Sequence, residues 1–278
     1  MTETQVSSMI LDDGAPSWSK LDLEDINKPA RDVLERYSGI PPERVMGHVK
    51  DVRDRALKIF PYPCIGAFCF LQFCISELSC YHDIKRLITT GNKFLDLGCC
   101  FGQEIRKLVA DGVPAANLYG CDLDPRFVEL GYELFRDKDV LAGNFLQADI
   151  LDPESDLKQL TGQLRVVNAQ LFFHLFSWHQ QVQIAKRIVT LFNPTGSALL
   201  VGRQVGGKVA IESQLLRPHT FFTHTVESWK QLWAEVSDAT GTTWDVGITQ
   251  EPVVSNLRSL SGPDGYIMVF VVRRVASA

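Results

Sequence analysis

The chain has 278 residues, 45% of them hydrophobic, and a formal net charge of −5. That length supports one sizeable core with an appendage, and an acidic balance without a basic block argues against a nucleic-acid partner. The longest apolar stretch, around 64–76, is interrupted by Gln72 and ends at Glu77, too short and too polar for a membrane span.

Residues 1–20 are polar, with neither an apolar signal core nor a basic targeting face. They read as a disordered tail on a soluble, cytoplasmic protein. Residues 21–91 read as an N-terminal helical lid. Pro41-Pro42 can open a helix whose apolar positions Val45, Val49, Val52, Ala56 and Ile59 recur at helical spacing. Phe60-Pro61-Tyr62-Pro63 stops it, because each proline disfavours helix in the residue before it. A more apolar helical stretch follows, with Phe68, Leu71, Phe73, Ile75 and Leu78, then a short one from Tyr81 to Ile88. Phe68, Phe70 and Phe73 do not share one narrow face, which implies burial on several sides.

Beyond residue 92 the rhythm becomes strand–helix alternation. Strands are expected at 93–97, 118–121, 144–148, 164–169 and 198–202, and helices at 103–111, 125–138, 153–160 and 179–192. A further helix at 226–239, with Thr225 as N-cap, precedes two strands at 243–249 and 266–273. The fold class is α/β: a Rossmann-like, seven-stranded, mostly parallel sheet with a terminal antiparallel hairpin and helices on both faces. Residues 92–278 form the ligand-binding domain in this reading. Trp229 and Trp233, four apart on a helix, are expected in the core.

The seven cysteines include no C-x-x-C pair and no paired zinc spacing, so no metal site is expected. They read as buried free thiols of a reducing compartment.

The most informative stretch is Phe94-Leu95-Asp96-Leu97-Gly98-Cys99-Cys100-Phe101-Gly102-Gln103. A strand ends in an acid, glycines flank a bend, and a helix follows. The D-x-G-x-x-x-G spacing fails the G-x-G-x-x-G dinucleotide fingerprint, which offers bare amides to a pyrophosphate. An acid before the first glycine suits a ligand with a cationic amino group. Two further acids end successive strands, Asp122 and Asp149, on the side where open α/β sheets bind ligands.

On these residues, 93–205 resemble class I S-adenosylmethionine-dependent methyltransferases. The resemblance implies S-adenosylmethionine as cofactor. Asp96, Gly98 and Gly102, with Cys99 and Gln103 of the same loop, would hold its amino-acid part. Asp122 would bind the ribose, with Asp124 as a rival, and Asp149 would lie near the adenine amino group, with Leu123 and Ile150 flanking the base. The family often carries a middle glycine where this chain has Cys100. Phe60-Pro61-Tyr62-Pro63-Cys64-Ile65-Gly66, Phe172-Phe173-His174-Leu175-Phe176 and Val201-Gly202-Arg203-Gln204-Val205-Gly206 extend the likeness, from about 29 to 273, to fungal methyltransferases of meroterpenoid biosynthesis. Those enzymes typically methylate a carboxyl oxygen, so a small, apolar carboxylic acid is the implied substrate.

A carboxylate is ionised at neutral pH and needs no base, whereas a phenol, titrating near ~10, benefits from one. His174, after the fourth strand, could orient a carboxylate, serve a phenol as base, or pack among phenylalanines. Asn168 and Gln170 are candidates for cofactor or substrate contacts, or for capping backbone. Arg203 could clamp a carboxylate bidentately or form a surface ion pair. Tyr62 could line an apolar pocket. His219 and His224 lie in an insertion and read as ordinary loop histidines. The rival readings are a phenol or amine methyltransferase using His174, and a non-catalytic binding module on a methyltransferase fold. A homodimer is left open.

Overall fold

The computed structural model describes residues 17–213, 220–253 and 264–275. Five parallel strands build the sheet: β1 (Lys93–Leu97), β2 (Leu118–Asp122), β3 (Phe145–Gln147), β4 (Leu164–Gln170) and β5 (Leu199–Gly207). Two short strands, β6 (Ile211–Ser213) and β7 (Phe221–Thr223), pair in a separate ribbon absent from the expected set. The hairpin partners β8 (Trp244–Pro252) and β9 (Gly265–Arg274) complete the main sheet, in the order β3-β2-β1-β4-β5-β9-β8. β9 runs antiparallel to both β5 and β8, which is the expected terminal hairpin. Strand order reverses at β1, so the crevice beyond its carboxyl end is the natural ligand site.

The longer helices are α1 (Pro42–Ile59), α2 (Tyr81–Thr89), α3 (Gln103–Ala110), α4 (Pro125–Phe135), α5 (Trp178–Leu191) and α6 (Val226–Thr240). One sheet face buries Leu95, Val167 and Leu200 against α5 and α6, including Ile184, Trp229 and Trp233. The other buries Phe94, Val166 and Val201 against α2 and α3, including Ile84, Ile88, Ile105 and Leu108. Strands covered on both faces are near-continuous apolar runs for this reason.

The N-terminal region departs further from expectation. α1 opens on Pro42 and stops before Phe60, as the prolines require. The apolar stretch after it is not one helix. It is a single turn, Pro63–Gly66, followed by two 3-10 turns, Cys69–Leu71 and Cys74–Glu77. Phe68 sits at φ 56°, which breaks the helix and lets Phe68, Phe70, Leu71 and Phe73 all be buried in different directions. Residues 17–20, expected in the tail, form a 3-10 turn instead. Trp18 there is buried and donates from Nε1 to the Pro61 carbonyl at 2.9 Å, while Arg53 donates to the carbonyls of Ser19 and Leu21 at 2.8 Å each. Residues 1–16, the rest of that expected tail, lie outside the described residues. The helix expected at 153–160 shrinks to a 3-10 turn, Asp156–Leu160, because the Asp152 carboxylate binds the Glu154 amide and favours a turn.

The N-terminal region also shares a core with the sheet domain. Val45, Val49 and Val52 of α1 pack in one cluster with Phe127, Leu130, Leu134 and Phe135 of α4 and with Phe101 of the glycine loop.

Candidate cofactor and acceptor site

The loop after β1 is built from unusual backbone. Gly98 and Gly102 have φ 68° and 63°. A Cβ on Gly98 would lie 2.5 Å from the Phe172 ring, and one on Gly102 would lie 2.5 Å from both Arg106 and Phe145, so neither position admits a side chain without movement. Cys100 adopts the left-handed conformation at φ 50°. That costs an L-residue roughly 1–2 kcal/mol. The backbone is held there by Asp122, whose Oδ2 accepts the Cys100 amide at 2.8 Å.

A cavity of about 570 Å³ opens beside this loop. Asp96 lines it, almost fully buried, with its carboxyl pushed up to about 7, chiefly by burial. Its Oδ1 accepts from Asn168 Nδ2 at 2.7 Å, but its Oδ2 is buried with no partner. A buried carboxylate with one orphaned oxygen fits an ammonium group. The glycine cradle fits the close approach of a ligand's main chain.

Asp122, Leu123, Asp149, Ile150, Gln103 and Cys99 all line the same cavity. Leu123 is 67% exposed, an apolar side chain standing free at the wall where a base would cover it. Asp149 is exposed and receives the Leu151 amide at 2.8 Å. Asp124 is spent elsewhere: it caps α4 through the Arg126 amide and pairs with the Arg126 guanidinium at 2.5 Å. Asp124 is not among the lining residues. Asn168 also moves in role. It faces Asp96 across the β1–β4 register, fully buried and off the cavity wall, and receives a bond from Gln170 Nε2 at 2.9 Å. It orients Asp96 from behind.

The acceptor side mixes the N-terminal segment with the ends of β4, β5 and β8. Tyr62, Gln170 and Arg203 line the cavity, as expected. Burial lifts the Tyr62 phenol to about 12, which removes it as an acid or base near neutrality. Arg203 donates to Glu77 at 2.6 Å, lies 3.7 Å from Glu251, and keeps a buried, unpaired Nε. His174 is not in the wall. It sits in the 3-10 turn Phe173–Leu175, with Nδ1 unpaired and burial lowering its imidazole to about 4. The turn instead presents Phe172, Leu175 and Phe176 to the cavity. His224 is a core histidine, bonded to Gln181 and Ser228 at 2.9 Å each. His219 lies outside the described residues. All seven cysteines are free, and six line the cavity: Cys64, Cys69, Cys74, Cys99, Cys100 and Cys121. Burial pushes every one of these thiols up, so they stay protonated and weakly nucleophilic.

Residues 18–71 match the family described as the meroterpenoid methyltransferase N-terminal domain, and residues 94–196 match a methyltransferase domain. The Asnovolin E/Chermesin D methyltransferase nvfJ of Aspergillus novofumigatus is 41% identical over 254 residues, 91% of each chain. This chain belongs to the fungal meroterpenoid methyltransferases. The O-methyltransferase phiE of a fungal species is 43% identical to this methyltransferase over 252 residues, 88% of this chain and 83% of that one. A crystal structure from Galdieria sulphuraria, of a protein assigned as a sarcosine dimethylglycine methyltransferase, superposes with a TM-score of 0.52 at 14% identity. It covers 73% of this chain and 85% of that one, a likeness that shows the fold. The methyltransferase uses S-adenosylmethionine as its cofactor.

Sequence reasoning passed over two residues of the site. Glu104, in the first turn of α3, is 1% exposed, lines the cavity and accepts from the amides of Cys74 and Ile75 at 2.9 and 3.1 Å. In the sequence it reads as an ordinary acid at a helix start. Arg106 is fully buried under the loop. It binds both oxygens of Asp137 at 2.8 Å and the Phe101 carbonyl at 2.7 Å, and Tyr37 adds a hydroxyl bond to Asp137 at 2.8 Å. The partners lie 31 and 69 positions away along the chain from Arg106, so no local pattern announced them.

Proposed function

We propose that this methyltransferase transfers the methyl group to the carboxylate of an apolar meroterpenoid or polyketide-type acid. The observation that supports this reading best is the arginine at the wall, which keeps an unpaired Nε although acids outnumber it there. Among the described lining residues Arg203 is the only cation, and none is a histidine. S-adenosylmethionine supplies an already activated methyl on a sulfonium. What remains for the protein is to hold a nucleophile in line behind that methyl, and orientation of this kind supplies roughly 7–11 kcal/mol in favourable cases. A carboxylate arrives ionised, so it needs no base whatever the protonation of Asp96 and Glu104 in the wall. The unpaired Nε of Arg203 offers it a charged donor, while Tyr62, Phe70, Phe172 and Phe176 offer an apolar surround. The N-terminal segment excludes water from the sulfonium in this reading. Seven free thiols fit a cytoplasmic setting.

The test is product analysis after incubation with ¹³C-methyl-labelled cofactor and a panel of apolar acids, their methyl esters and matched phenols. A labelled ester methyl on the acids, with the pre-formed esters untouched, is the expected result. Label on phenols alone overturns the reading.

A further inference from the structure

We propose that Glu104 is a positioning residue that couples occupation of the cation site at Asp96 to the seating of the cavity wall at Cys74 and Ile75. The geometry carries this. Glu104 belongs to α3, the helix that begins at the glycine loop, yet both of its oxygens are bonded to amides of the N-terminal segment. It is the direct tie between the cofactor side and the acceptor side of one cavity. It is buried, and among the described residues its bonds run to amides and not to a cation.

The groups around it define how the tie responds. Burial first, and then the charge of Asp96 on β1, push the Glu104 carboxyl up to about 8. Arg203 on β5 acts weakly in the opposite sense, being already engaged by Glu77 and Glu251. Cys74 and Tyr81 from the N-terminal region also face it, the first a protonated thiol and the second a phenol bonded to Asp111. Two buried acids therefore line one cavity and act on each other electrostatically, and one of the Asp96 oxygens has no partner. A cation placed against Asp96 favours the ionised form of both. Ionised Glu104 accepts both amides as charge-assisted bonds, which are roughly twice as strong as neutral ones. Protonated Glu104 keeps one full acceptor. Cofactor binding thus tightens the segment that carries Cys74 and, through Glu77, braces Arg203. The acceptor wall is finished only once the cofactor is in place.

The experiment needs no acceptor, so its failure is distinguishable from failure of the carboxylate reading. S-adenosylmethionine affinity is measured by titration calorimetry at pH 6.0 and 7.5, in buffers of different ionisation enthalpy. Amide hydrogen exchange at residues 74 and 75 is followed with and without cofactor. For the natural chain the affinity should rise by about a hundredfold across this interval with net proton release, and both amides should gain protection on binding. In Glu104→Gln the rise should fall to about tenfold or less and the gain in protection should vanish, with cofactor still bound. Identical pH dependence and identical protection in the two proteins overturns the proposal. If Glu104→Gln does not fold, the natural chain decides alone, and amides at 74 and 75 that gain no protection on binding overturn it.

Discussion

The sheet domain and the N-terminal region meet at one cavity but are built by different rules. The sheet places Asp96, Asp122 and Asp149 by regular means: Asp96 lies near the end of β1, Asp122 ends β2, Asp149 follows β3, and the parallel register brings the three ends to one edge. The N-terminal region places Tyr62, Cys64, Cys69 and Cys74 by irregular means, through 3-10 turns and a left-handed Phe68. Regular backbone fixes the part of the site shared by the methyl donor. Irregular backbone shapes the part that meets the acceptor in the proposed reading, built from turns rather than from the sheet.

The comparison can be broken at the junction. Arg106→Ala leaves Asp137 buried without its cation, and a loss of roughly 3–5 kcal/mol is expected in denaturant unfolding, spread over both regions. A transition confined to the N-terminal residues would mean that the two are separable. Asp96→Asn tests the regular side. It should weaken S-adenosylmethionine binding by about 30–100-fold in calorimetry, through loss of a charged hydrogen bond. The same variant has a pH signature. The folded Asp96 carboxyl is raised, so the stability it contributes is full below its unfolded value near 4 and is lost as pH rises through about 7. The cofactor-free natural chain should thus lose roughly 1.4 kcal/mol per pH unit across that window from this acid, and Asp96→Asn should flatten the slope in parallel melts.

Smaller effects sharpen the picture. Tyr37→Phe removes one hydroxyl bond from the Asp137 network and should cost about 1 kcal/mol, with cofactor affinity unchanged. Cys100→Gly relieves left-handed strain but frees the unfolded chain, so a net rise of about 1–2 °C in Tm is expected by calorimetry, with affinity unchanged within about twofold. A fall in Tm would show that the thiol packs more than it strains. His174→Ala should leave kcat/KM within about threefold, because the ring is off the wall. Collapse of activity with loss of the basic limb would restore a base-dependent acceptor.

These contrasts also explain what was legible in the sequence. Period-two and period-3.6 patterning with prolines and glycines was enough for α1, the parallel strands of the sheet and the closing hairpin. The strand-end acids were readable because topology alone puts them at one edge. Residues 64–78 were not readable as turns, since an apolar run buried on all sides has no period to betray its conformation. Asn168 and Asp124 sat in the right sequence neighbourhood, but side-chain direction and a competing helix cap decided their roles. Glu104, Arg106 and Asp137 depend on partners dozens of residues away, which no window on the chain contains.

The core shared by α1, α4 and Phe101 has a practical consequence for engineering. A chimera that joins the first 91 residues of one relative to the remainder of another would cut through a single packed unit. The graft that respects this protein's packing also carries Phe101, Phe127, Leu130, Leu134 and Phe135, so that acceptor preference is moved together with the apolar surface on which it rests.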